Sequence, residues 1–161
     1  MEEISNSDLI NDVDIAVAAW HEDGRWTLAL LPDAHDLAQV IDRLKSQQTN
    51  GGAIALIAID EEFFILIRVL GSHISLFLSD ATAALDYPVA EELMEIADLP
   101  IPEDDEEPGP VGHLEILADL GMNGMEISAL CDDEELFPDE QLEAIAARLG
   151  FGDQFSELLD L

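Results

Sequence analysis

Basic residues are scarce in this chain. Five Lys plus Arg stand against 37 Asp plus Glu in 161 residues, a formal charge of −32. Such a surface repels nucleic-acid phosphate, which excludes a direct reader of DNA or RNA. It attracts basic surfaces, including those that other proteins use to hold nucleic acid. Cysteine is scarcer still. Cys131 stands alone, so no internal disulfide and no Cys-x-x-Cys metal pair can form, and a reducing cytoplasm is the expected compartment. Long apolar runs are missing too. Ala53–Ile59 and Phe63–Leu70 are separated by Asp60, Glu61 and Glu62, and the second contains Arg68. Neither approaches the roughly eighteen apolar residues of a membrane span. The opening MEEISNSDLIND has no basic n-region followed by an apolar stretch and does not read as a signal peptide.

Apolar residues, by contrast, make up 48% of the chain, and the mean hydropathy is +0.14. The acid is therefore carried on a chain that can build a core, which argues against disorder and against simple adaptation to salt. Val13–Trp20 and Trp26–Leu31 read as strands around a turn containing Asp-Gly. Leu37, Val40, Ile41 and Leu44 fall on one face of a helix over Asp36–Gln48, with Asp33 and Asp36 placed to cap it. Ala53–Ile59, Phe63–Leu70 and His73–Leu78 read as three more strands. The first is apolar throughout and is expected to be central, covered on both faces. Gly71-Ser72 suits a type II′ hairpin. Ser79 or Asp80 can cap a helical turn at Ala81–Leu85, and Pro88–Ala97 reads as a further helix.

Asp98–Pro110 (DLPIPEDDEEPGP) changes character, because four prolines and a block of five acids can continue neither helix nor ladder. Short helical patterns follow at Leu114–Leu120, Met125–Cys131, Asp139–Leu149 and Gln154–Leu159, punctuated by Gly121, Pro138 and Gly150. The expected fold class is α+β. Residues 1–12 form an acidic tail and 13–97 a mostly antiparallel sheet of about five strands with packed helices. Residues 98–111 are an acidic Pro-rich linker, and 112–161 a small helical subdomain. Residues 1–99 hold 19 acids and 4 bases, whereas 100–161 hold 18 acids and 1 base, so charge recognition should be led by the C-terminal part.

No catalytic signature emerges. His21, His35, His73 and His113 are scattered without ligand spacing, so no metal and no cofactor is expected. The acidic runs do not follow the oxygen spacing of a calcium loop. Ser79-Asp80 lacks the glycines of a nucleophile elbow and is better explained as a helix cap. Cys131 precedes four acids, which raise a thiol pKa and make it a poor nucleophile. Gly150-Phe151-Gly152-Asp153 has only Arg148 nearby and an acid that would repel phosphate. It reads as a joint between helices, with Phe151 and Phe155 in the core. Trp20, Trp26, Phe63, Phe64 and Phe77 fall within strands and have no interleaved bases, so they read as core or sheet-face residues.

The order of IAVAAWHEDGRWTLALL, RVLGSHISLFLSDATAAL, EDDEEPGP, LEILADLGM and ARLGFGDQFSELL resembles the tRNA adenosine deaminase-associated proteins over about residues 13–160. The resemblance implies association with the deaminase that makes wobble inosine, and it supplies no catalytic residues. The deaminase itself needs His-x-Glu and Pro-Cys-x-x-Cys to hold zinc, and neither motif is present here.

The leading expectation is therefore a non-catalytic, cytoplasmic binding module for that deaminase or another basic RNA-handling protein. It would engage the partner through Glu103, Asp104, Asp105, Glu106 and Glu107 and through Asp132, Asp133, Glu134 and Glu135. The alternative is a small-molecule-binding protein or small enzyme with a cleft between the two halves. A homo-oligomer would need an exposed apolar strand edge, since the charge opposes any other self-contact.

Overall fold

The computed structural model describes residues 13–22, 24–31, 36–47, 51–100, 103, 109–133 and 135–159. Six strands form one antiparallel sheet: β1 (Val13–Glu22), β2 (Arg25–Leu30), β3 (Ala53–Ile59), β4 (Phe63–Leu70), β5 (His73–Leu78) and β6 (Val111–Gly112). Their order across the sheet is β2-β1-β3-β4-β5-β6. The helices are α1 (Leu37–Gln47), α2 (Pro88–Ile96), α3 (Gly124–Cys131), α4 (Pro138–Leu149) and α5 (Gly152–Leu159), with 3₁₀ turns at Ala81–Leu85 and Ala118–Leu120. The α+β class holds.

Alternation along the strands divides the interior into two cores. On β3, Ala53, Ala55, Ile57 and Ile59 face the core built with α1, the first 3₁₀ turn and α2. Ile54, Leu56 and Ala58 face the core built with α3, α4 and α5. All seven residues of β3 are buried, as a central strand covered on both faces requires. The C-terminal helices thus pack directly on the sheet, through Ile127, Leu142, Ile145, Phe151 and Phe155. The result is a three-layer helix–sheet–helix sandwich around an antiparallel sheet.

Local chemistry explains most boundaries. Leu37, Val40, Ile41 and Leu44 are all buried on one face of α1. Asp36 Oδ1 accepts from the Ala38 and Gln39 amides at 3.1 and 3.4 Å, and Asp33 lies outside the described residues. Asp80, and not Ser79, caps the first 3₁₀ turn, accepting from the Thr82 amide at 3.0 Å. The Ser79 hydroxyl instead accepts from the Phe64 amide at 2.9 Å, extending the ladder past β5. Pro138 begins α4, where its missing N–H is harmless.

Two segments depart from expectation. A sixth strand appears at Val111–Gly112, where a linker was expected to end, and it pairs with Leu78 and Phe77. Leu114–Leu120, expected to be helical, keeps only the 3₁₀ turn at Ala118–Leu120. The reason is a contact from a distant strand. The Ile116 carbonyl is drawn away to accept from Arg68 Nη1 at 3.1 Å, and the amides of Ala118 and Leu120 close three-residue turns on Glu115 and Leu117.

Candidate acidic docking cleft

Three acidic connections meet at one end of the sheet. The first is the β3–β4 turn, where Asp60 and Glu61 both take left-handed backbone angles, φ 54° and 55°. Two consecutive non-glycine residues in that region are strained and persist only when held from outside. The turn closes with the Glu62 amide donating to the Ile59 carbonyl at 2.9 Å, and it is braced from outside by the Tyr87 hydroxyl donating to Asp60 Oδ2 at 2.5 Å and by Asp14 Oδ2 accepting from the Glu61 amide at 2.9 Å. The second is Ser79-Asp80 at the end of β5, where the Ala81 amide donates to the Gly109 carbonyl at 2.8 Å. The third is the α3–α4 loop. Gln141, buried on α4, donates through Nε2 to the Leu130 carbonyl at 2.8 Å and pins that loop to the helix.

Between these connections lies a cleft of about 310 Å³. Among the described residues its wall carries five carboxylates, Glu61, Glu62, Asp80, Asp132 and Asp133, and no Lys, Arg or His. Phe137 stands on the rim with 57% of its surface exposed, an unusual position for an aromatic side chain preceding a helix. Among the described residues no three His, Cys, Asp or Glu side chains converge in a way that could hold a metal ion. The carboxylates therefore present a negative field spread over a concave surface, open to a cationic group. Cys131 lines the same cleft, and burial, followed by the charge of Asp132, pushes its thiol pKa up to about 12. It carries no thiolate at neutral pH.

Of the residues singled out in sequence, Asp132 and Asp133 line this cleft. Glu135 is exposed in the same loop, and its amide donates to Asp133 Oδ1 at 3.1 Å. Glu103 is exposed but does not line the cleft. Asp104, Asp105, Glu106, Glu107 and Glu134 lie outside the described residues. Sequence reading missed Glu61, Glu62, Asp80 and Phe137. The first two looked like an ordinary strand connection and Asp80 like a cap. Their convergence with residues some fifty to seventy positions away is a property of the sheet topology. The one available signal was an aromatic residue set between an acidic run and a helix-starting proline.

A further charged centre among the described residues is internal. Arg68 is 5% exposed and spans both carboxylate oxygens of Asp119, while also donating to the Gly51 carbonyl at 2.9 Å. Its hydrogen bonds hold the segment after β6 against the sheet. The described histidines do not line the cleft: His21 packs edge-on to Trp26 with ring centroids 5.2 Å apart; His35 lies outside the described residues. His73 and His113 flank a separate cleft of about 460 Å³ beside Ile96 and Leu99, with no acid among its described lining residues. No helix among the described residues is long and apolar enough to cross a membrane.

Comparison with known proteins agrees with the motif order. Protein Rv3753c of Mycobacterium tuberculosis (strain ATCC 25618 / H37Rv) is 38% identical over 149 residues, covering 89% of this chain and 86% of that protein. No solved structure matches the chain. A family model described as Rv3753c-like tRNA adenosine deaminase-associated protein matches residues 14–152, and the chain belongs to that family.

Proposed function

We propose that this protein is a non-catalytic acidic module that docks on a basic surface of a tRNA adenosine deaminase, or of another basic RNA-handling protein. The observation that carries this reading is the cleft, which among the described residues has five carboxylates from three connections, no base, and an exposed aromatic ring on the rim. A partner's Arg or Lys side chain entering the cleft would find charge complementarity on every wall. Phe137 would add the apolar anchor typical of interface centres. An enzyme that holds tRNA must expose a basic, phosphate-binding surface, and a chain of charge −32 can occupy it. The family's description names association with the deaminase, which makes that enzyme the first partner to test.

Calorimetric titration into the cognate deaminase at about 50 and about 300 mM NaCl tests this directly, because the attraction is between screened charges. The expected result is binding weakened about tenfold or more at the higher salt, and competed by tRNA. Joint substitution of Glu61, Glu62, Asp132 and Asp133 by their amides should weaken it comparably, and Phe137→Ala should weaken it without changing the salt slope. Binding indifferent to salt and to these substitutions would defeat the reading. The cleft's polar lining between sheet and C-terminal helices also suits a small cationic ligand. Saturable binding of a small polyamine with no affinity for the deaminase would favour that alternative.

A further inference from the structure

One edge of the sheet runs along a strand without an acidic residue. β2 is the outermost strand, paired only to β1. The phase of that pairing follows from the Leu31 amide, which donates to the Ala16 carbonyl at 2.9 Å. In an antiparallel ladder the hydrogen-bonded residues alternate. Arg25, Thr27, Ala29 and Leu31 therefore turn their backbone groups toward β1, and Trp26, Leu28 and Leu30 turn theirs outward. The Trp26 carbonyl is covered, accepting from Gln154 Nε2 of α5 at 2.6 Å, which confirms the phase. Among the described residues no hydrogen bond reaches the outward groups of Leu28 and Leu30.

Folded sheets usually protect such an edge with an inward charge, a proline, a bulge or a covering segment. Along β2 the pairing is regular, and the only charge is Arg25 at its start. In a chain with 37 acids, Gly24–Pro32 contains none. Leu30 is 56% exposed on the same sheet face as Trp26 and Leu28, beyond the cover of the C-terminal helices. Two molecules that each carry −32 can meet only where their contact is apolar and their acids are held apart. The β2 strand supplies the apolar contact, and its own residues carry no acid.

We propose that two copies of this chain associate through β2, antiparallel about a two-fold axis, with Leu28 of each copy opposite Leu30 of the other. This register satisfies the outward amides and carbonyls of both leucines in both copies and leaves the Gln154–Trp26 bond intact. Because an isologous contact repeats every interaction, it also stacks four leucines on one face and covers the exposed Leu30 twice. The contact joins the two sheets into one and leaves the acidic cleft, at the far side of β3, facing solvent for a partner.

The salt dependence separates this contact from partner docking. Like-charge repulsion between the copies is screened by salt, so self-association tightens as salt rises, whereas docking on a basic surface weakens. Sedimentation of the full chain between about 5 and about 200 µM, at about 50 and about 500 mM NaCl, should show a dimer whose dissociation constant falls several-fold at the higher salt. Leu30→Glu should leave a monomer under all these conditions, and Met125→Glu, on an exposed residue of α3, should leave the dimer unchanged. On the wild-type protein, exchange of the Leu28 and Leu30 amides should slow at concentrations where the dimer forms. A monomer throughout would overturn the proposal, as would a dimer that Leu30→Glu spares without protecting those amides. So would pairing of β2 only with a strand of the deaminase.

Discussion

Arg68 lies on β4 in phase with Phe64 and Leu66, whose side chains enter the core beneath the C-terminal helices. A guanidinium at such a position is tolerated because its hydrogen bonds go to Asp119, Gly51 and Ile116, although Nε is left without a partner. The hydrogen bond from Arg68, more than its charge, holds the Asp119 carboxyl below its ordinary value, against the opposing effect of burial. A depressed folded pKa stabilises the protein above the unfolded value, near pH 4, and that stability is lost as pH falls through the lower, folded value. Asp119→Asn should therefore cost about 1 kcal/mol at pH 7, modest because the carboxylate is 61% exposed. The gap between variant and wild type should narrow as pH falls below the unfolded value, near 4, in urea titrations. A gap that persists there would show that Asp119 acts through packing. Cys131 shifts the other way. With its thiol pKa pushed to about 12, roughly a thousandfold fewer thiolates exist at pH 8 than for an ordinary cysteine. Labelling by a thiol reagent should be correspondingly slow in the native protein and rapid in urea. The stability linked to this raised pKa is intact below about 8.5 and declines as pH climbs toward 12.

Elements in this fold owe their positions to backbone geometry as much as to apolar pattern. β6 is two residues long and approaches β5 so closely that a Cβ on Gly112, at φ +110°, would run into the Leu76 carbonyl oxygen and Phe77 Cα. Gly71, at φ +65° in the β4–β5 hairpin, has nothing near its missing Cβ. Gly112→Ala should thus cost about 3 kcal/mol or more and release β6, whereas Gly71→Ala should cost about 1 kcal/mol from backbone strain alone. Equal effects in thermal unfolding would mean that β6 contributes nothing to the sheet's cohesion. The strands and α1 were legible beforehand because their periods are strong: Leu37, Val40, Ile41 and Leu44 permit only one buried face. β6 was not, since two residues have no period. Nor was the loss of helix at Leu114–Leu117, because the hydrogen bond from Arg68 to Ile116 joins residues 48 apart in sequence.

The whole molecule balances two full cores against its own charge. Each sheet face is covered, so apolar burial is ample, but 37 acids with five bases repel one another in the folded state more than in the expanded chain. Added salt should relieve that repulsion, and the melting temperature should rise by several degrees between about 20 and about 300 mM NaCl. The rise should be the same in sodium chloride and in potassium chloride if screening, not ion-specific binding, is responsible. No rise at all would mean that the carboxylates are too well separated to strain the fold. The same field that taxes stability is what the proposed docking uses.

Composition by itself determined the sign of every long-range interaction, because net charge is a sum that no fold can alter. Hydrophobic period determined five strands, the buried face of α1 and the central place of β3, because alternation and burial are local to the strand that shows them. Only tertiary structure decided that the C-terminal helices cover the second sheet face. It also decided that Glu61, Glu62, Asp80, Asp132 and Asp133 share one cleft and that the acid-free strand β2 is an edge. Each of these depends on which strand neighbours which, and strand order is fixed by packing between residues far apart in the chain.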